Sequence, residues 1–114
     1  MSAITTHVLD TARGRPAAGL PVVLEAQGGD GRWSAVGKGA TDSDGRVAQL
    51  LAKGASLQPG LYRLTFDTQS YFVAQEVEGF YPQVTVVFEV RDPTQRYHVP
   101  LLLSPFGYST YRGS

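Results

Sequence analysis

At 114 residues and 12.3 kDa the chain has the size of one domain, with room for a single core and little for a second. Its 42% apolar and 18% charged residues are those of an ordered protein, and ten basic residues balance ten acidic ones, which argues against a partner such as nucleic acid or an anionic membrane. With no cysteine, a disulfide framework, a thiolate metal site and a cysteine nucleophile are excluded together.

The N-terminal residues Met1-Ser2-Ala3-Ile4-Thr5-Thr6-His7 carry neither the basic region nor the apolar stretch of a signal peptide. No apolar run approaches the roughly 20 residues that span a bilayer. The expectation is a soluble, cytoplasmic protein forming a single domain over residues 1–114.

Glycine and proline cut the chain into short pieces that mostly alternate apolar and polar residues. The first predicted strand is Ile4 to Asp10, closed by the turn-forming stretch Ala12-Arg13-Gly14-Arg15-Pro16. Leu20 to Ala26 follows, with Val22 and Leu24 on one face and Val23 and Glu25 on the other. Gly28 to Arg32 reads as a hairpin loop before a strand from Trp33 to about Gly39, and Thr41 to Gly45 as a turn before a short strand from Arg46 to Leu50. Gln58-Pro59-Gly60 leads into Leu61 to Asp67, where Tyr62, Leu64 and Phe66 share a face. Thr68 to Glu78 departs from alternation: Val73 and Val77 lie four residues apart beside Phe72, Asp67 or Thr68 suits a cap, and Gly79 a stop, so one short helix is predicted. Strands resume at Val84 to Arg91, at Tyr97 to Leu103 after the turn Asp92-Pro93-Thr94, and at Gly107 to about Tyr111. Short strands at this spacing predict an all-β, antiparallel sandwich of two four-stranded sheets.

The same alternation sorts candidate site residues by face. Thr6 and Val8 point one way along the first strand; Thr5, His7 and Leu9 point the other. Along the strand from Tyr97, the set Tyr97, Val99, Leu101 and Leu103 opposes His98, Pro100 and Leu102. If the apolar sets face the core, the two histidines of the chain both project from the outer surface of one sheet. A histidine on a strand is ordinarily a solvated or hydrogen-bonded residue, and a metal site built on this pair lacks a third ligand at any fixed spacing, Asp10 falling on the opposite face from His7. Arg46 reads as a surface arginine facing Asp42 or Asp44. Tyr108, Tyr111 and Arg112 are a heavy load for a tail. No phosphate loop, nucleophile elbow or paired-carboxylate motif is present.

His7-Val8-Leu9-Asp10, followed by Gly14 and Pro16-Ala17, resembles the transthyretin fold family. Tyr97-His98-Val99-Pro100-Leu101-Leu102-Leu103-Ser104-Pro105 and the terminal Tyr111-Arg112-Gly113-Ser114 resemble, more narrowly, its 5-hydroxyisourate hydrolase members. The resemblance covers essentially the whole chain. It implies hydrolysis of 5-hydroxyisourate to 2-oxo-4-hydroxy-4-carboxy-5-ureidoimidazoline in urate breakdown, with no cofactor and no metal. It implies catalytic positions at His7, Arg46, His98 and Tyr111, and substrate contacts from His7, Arg46, Tyr111 and Ser114. The two histidines are then the water-activating pair, Arg46 the stabiliser of developing charge, and Tyr111 a donor to the ring or leaving nitrogen; Ser114 with a terminal carboxylate orients the tail or a histidine, and Arg112 anchors the tail. The resemblance also implies a homotetramer, a dimer of dimers with sites at subunit interfaces, in which Val84 to Arg91 pairs between subunits and the channel covers Leu9, Pro100 and Leu102. A non-catalytic carrier of small aromatic ligands is the alternative: carriers of this fold lack the combination of histidines, arginine and terminal tetrapeptide.

Overall fold

The computed structural model describes residues 3–114; Met1 and Ser2, with the parts of the leader and 1–114 domain expectations that rest on them, lie outside the described residues. Nine strands and one helix follow in order: β1 Ile4–Asp10, β2 Arg15–Pro16, β3 Pro21–Gln27, β4 Trp33–Ala40, β5 Arg46–Val47, β6 Gly60–Phe66, α1 Thr68–Ala74, β7 Val84–Val90, β8 Tyr97–Ser104 and β9 Gly107–Thr110. They form two sheets packed face to face, as alternation predicts. One sheet runs β2-β1-β8-β9 with β5 also paired to β1; the other runs β4-β3-β6-β7.

Two features depart from a purely antiparallel pair of four-stranded sheets. β1 and β8 run parallel, in continuous register from Ile4 opposite Tyr97 to Asp10 opposite Leu103. The first sheet also contains two strands of two residues each, β2 and β5, which pair with successive parts of the same edge of β1. Direction is invisible to periodicity, because a half-buried strand alternates in the same way whichever way its neighbour runs.

The core lies between the sheets. Ile4 and Val8 from β1, Val22 and Leu24 from β3, Leu64 and Phe66 from β6, and Leu101 and Leu103 from β8 are all fully or almost fully buried. Each strand contributes every second residue, so the intervening positions are free for chemistry on the outer faces. On the outer face of the second sheet Arg63 pairs with Glu25 at 2.8 Å and lies over the Trp33 ring.

The helix is shorter than expected and faces differently. Asp67 is its cap, accepting a hydrogen bond from the Ser70 N–H at 3.0 Å. It ends at Ala74 rather than Glu78, because Glu76 takes a left-handed φ of 57° and the Val77 and Glu76 N–H groups bond back to the Phe72 and Val73 carbonyls. That pair of bonds is the Schellman stop, with glutamate where glycine is usual. Thr68, Tyr71 and Phe72 are its buried residues, whereas Val73 is 67% exposed. Tyr71 reaches across to Asp10, which is 2% exposed: the phenol donates to Oδ2 at 2.7 Å, and Oδ1 accepts from the N–H groups of Ala12 and Arg13. Among the described residues no helix is long and apolar enough to cross a membrane.

Candidate active site

The pairing of β1 with β5 on one side and β8 on the other decides which outward-facing side chains meet. His7 is the register partner of Arg46 on β5 and of Pro100 on β8. Thr5, two residues earlier on the same face, is the register partner of His98. His7 and His98 are therefore diagonal neighbours on the outer face. A strand spacing of about 4.8 Å and a two-residue rise of about 6.6 Å put their Cα atoms about 8 Å apart.

Arg46 reaches this place through a turn docked on β1. Asp42 Oδ1 accepts the N–H groups of Asp44 and Arg46, which closes the loop. Gly45 then sits at φ 77° with its carbonyl bonded to the Val8 N–H at 2.7 Å, and a side chain there would run into the Val8 carbonyl. The backbone N–H of Arg46 holds the Asp42 carboxyl below its ordinary range, with smaller help from the Arg46 and His7 charges. The expected side-chain pairing of Arg46 with an aspartate is absent: among the described residues its guanidinium makes no ion pair, which leaves it available to a ligand.

His98 is held on both flanks. Thr5 Oγ1 lies 2.8 Å from Nδ1, a contact between residues 93 positions apart. On the other flank the tail crosses β8: the Gly113 N–H donates to the His98 carbonyl at 2.9 Å, and a Cβ on Gly113 would lie 2.5 Å from the imidazole Cδ2. Only glycine lets the tail lie this close. Burial, then the Arg46 guanidinium and His7, push the His98 pKa below 6.5, and hydrogen bonding to the Thr5 backbone opposes the shift.

Arg46, His98 and Ser114 border one cleft of about 340 Å³, with Thr5 and Arg96 on its walls. His7 stands beside Arg46 on the same face. Tyr111 is not in this cleft. It is 59% exposed and borders a neighbouring hollow with Val86 and Phe88, and His98 lies between the two spaces. Arg112 anchors the tail as expected: its guanidinium covers the Tyr97 ring at 4.7 Å and donates to Gln95 Oε1 at 3.1 Å. Pro100 needs no second subunit to be buried. The tail covers it, with Gly113 against its ring and Thr110 Oγ1 donating to its carbonyl.

Three residues of the site went unassigned by sequence reasoning. Alternation places Thr5 and Arg96 on the histidine face, but only the β1–β8 register shows that Thr5 meets His98. Gly113 belongs to the terminal tetrapeptide, yet its contact with the imidazole appears only when the tail is seen crossing β8. Among the described residues no three His, Asp or Glu side chains converge as a metal site.

Comparison with known proteins fits this arrangement. A family model described as HIUase/Transthyretin family matches residues 4–113. The 5-hydroxyisourate hydrolase of Deinococcus radiodurans is 49% identical, with 97% of this chain and 95% of that protein covered. The 5-hydroxyisourate hydrolase of Mus musculus is 47% identical, with 99% and 96% covered. Among solved structures, Klebsiella pneumoniae 5-hydroxyisourate hydrolase superposes with a TM-score of 0.84 at 33% identity, covering 99% of this chain and 100% of that one. Transthyretin from Sparus aurata superposes with a TM-score of 0.90 at 30% identity, covering 99% and 97%.

Proposed function

The chain belongs to the HIUase/Transthyretin family, and from that membership we propose that it is an enzyme hydrolysing 5-hydroxyisourate to 2-oxo-4-hydroxy-4-carboxy-5-ureidoimidazoline, as its relatives' names indicate for them. The observation that carries this reading is the meeting of His98 and Arg46 at one cleft with His7 beside them.

The reaction opens the six-membered ring at an amide-type C–N bond. Water is a weak nucleophile, so one histidine of the pair takes a proton as the water oxygen bonds to the carbonyl carbon. The carbonyl oxygen gains negative charge, which the unpaired Arg46 fork is suited to stabilise. The C–N bond then breaks, the departing nitrogen takes up the proton held by the imidazolium, and the carbonyl carbon is left as a carboxylic acid that gives its remaining proton to solvent and becomes a carboxylate. The remaining histidine orients water or substrate. Tyr111 is exposed in the hollow on the other side of His98 and is assigned the donor to the ring or leaving nitrogen. Ser114 contributes a polar contact at the cleft wall.

The carrier alternative has a specific basis in the transthyretin neighbours, one of which, from sea bream, is described in complex with thyroxine. The hydrolases are more similar in sequence, and an unpaired arginine beside two histidines suits charge development better than storage of an aromatic ligand. Mixing the protein with freshly generated 5-hydroxyisourate and following ultraviolet absorbance separates the two: accelerated decay is expected, and decay at the spontaneous rate would favour the carrier.

A homotetramer, a dimer of dimers, is part of the same proposal. β7 is one of the two edges of the second sheet, with Val87 53% exposed, and β9 is an edge of the first. Edges of this kind are usually covered, and pairing between copies covers both while the outer faces bearing the histidines meet across a channel.

A further inference from the structure

We infer that Thr5 is a positioning residue that fixes the tautomer of His98, making His98 rather than His7 the base of the pair. This rests on the proposed hydrolysis and adds a residue that neither the sequence motifs nor the comparisons assign. Three flanks of the imidazole are accounted for. Its Nδ1 faces Thr5 Oγ1 at 2.8 Å, its Cδ2 is covered by Gly113, and the remaining Cε1–Nε2 edge is the one left for the cleft.

A neutral imidazole has one N–H and one lone pair, and a threonine hydroxyl can meet either. Were the hydroxyl to donate to Nδ1, the ring proton would sit on Nε2, and the edge facing the cleft could not accept a proton from water. Were it to accept from Nδ1–H, the Nε2 lone pair would face the cleft, and taking up a proton there would leave the Thr5 contact intact. The second arrangement alone is compatible with His98 acting as base without turning its ring. A hydroxyl that accepts from Nδ1–H favours the protonated ring, as any acceptor opposite an N–H does. The neighbouring hydroxyls contrast with it: Thr6 and Thr11 donate to the Val99 and Leu103 carbonyls of β8, whereas Thr5 Oγ1 contacts the ring alone. No comparable partner fixes a ring nitrogen of His7 among the described residues.

The charged and titratable groups around His98 are His7 on β1, Arg46 on β5, Glu89 on β7, Arg96 just ahead of β8, Tyr97 on β8 itself, and Tyr111 and Arg112 in the tail. None of them is altered in Thr5→Val, which keeps the β-branched shape and removes the hydroxyl. Nitrogen-15 NMR of the histidine rings above their titration range should find His98 protonated on Nδ1 in the unaltered protein, and a loss of that preference in Thr5→Val. The His98 titration should move to lower pH in that variant, and kcat should fall about tenfold or more, with the 10²–10⁴ contributed by a base as the ceiling. Thr5→Ser should restore all three. A proton on Nε2 of His98 in the unaltered protein, or a Thr5→Val variant with kcat within twofold and an unmoved tautomer, would overturn the inference. The wild-type spectrum decides even if Thr5→Val fails to fold. His98→Asn run in parallel separates the two readings: full activity there sinks the assignment of His98 itself, whereas an inactive His98→Asn beside an unaffected Thr5→Val sinks only the role of Thr5.

Discussion

Gly113 lies against the imidazole of His98, its N–H on the His98 carbonyl and its Cα so close that a methyl group would overlap the ring. The tail and a candidate catalytic side chain are thereby in contact along one edge. Gly113→Ala should displace either the ring or the tail, since crowding of this kind typically costs about 1–3 kcal/mol and is relieved by movement. The expected outcome is a fall in kcat of about tenfold or more with a melting temperature close to the parent's, because the tail lies outside the core. Steady-state ultraviolet assays beside thermal unfolding check this, and an unchanged kcat would detach the tail from the chemistry.

His98→Asn and His7→Asn test the pair directly. Each should reduce kcat by about 10²–10⁴ if both rings handle protons, and by less for whichever only orients. Both residues lie outside the core on the outer face of β1 or β8, so the circular dichroism spectra should match the parent's.

The acid limb of the pH profile follows from the surroundings of His98. A base works when neutral, so kcat/KM falls as pH drops through its pKa, and the depressed pKa puts that limb below pH 6.5. Burial is the main cause and the Arg46 guanidinium the next. Arg46→Gln should move the His98 titration, followed by NMR in the absence of substrate, to higher pH. A shift to lower pH would contradict the electrostatic account.

Asp10 and Tyr71 belong to the other face of β1. Tyr71→Phe removes the phenol that donates to a buried carboxylate and should cost about 1–3 kcal/mol in urea unfolding. Asp10 points into the core while His7 points out, so kcat at a temperature where the variant stays folded should be within about twofold of the parent's. A large loss of kcat would mean that the strand transmits the change to the site.

Much of the architecture was legible in the sequence because burial writes itself at period two. The buried and outward sets of β1, β3, β6 and β8 fall where alternation puts them, apart from Pro100, which the tail buries on the outward side of β8, and both histidines lie on the outward set. What failed to show had specific causes. The helix end was masked because Glu76 takes a conformation for which glycine is the usual signal, and the true Gly79 comes three residues later. β2 is two residues long, too short for any pattern, and β5 keeps only Arg46–Val47 of the strand expected to reach Leu50. Thr5 and Gly113 became part of the site only through contacts across more than 90 and about 15 positions, and such pairings leave no trace in local periodicity. The grouping of His7, Arg46, His98 and the tail came from the family resemblance, not from spacing.

The parallel seam between β1 and β8 has a bearing on how the protein is born. β1 is synthesised before β8, yet among the described residues its only full-length neighbour is that strand, starting at Tyr97. A nascent chain lacking that strand holds β1 by two dipeptide strands at most, with Thr5 and His7 facing nothing that completes the cleft. Closing so long a loop is slow, and the cleft can therefore be completed only after β8 and the tail have been made.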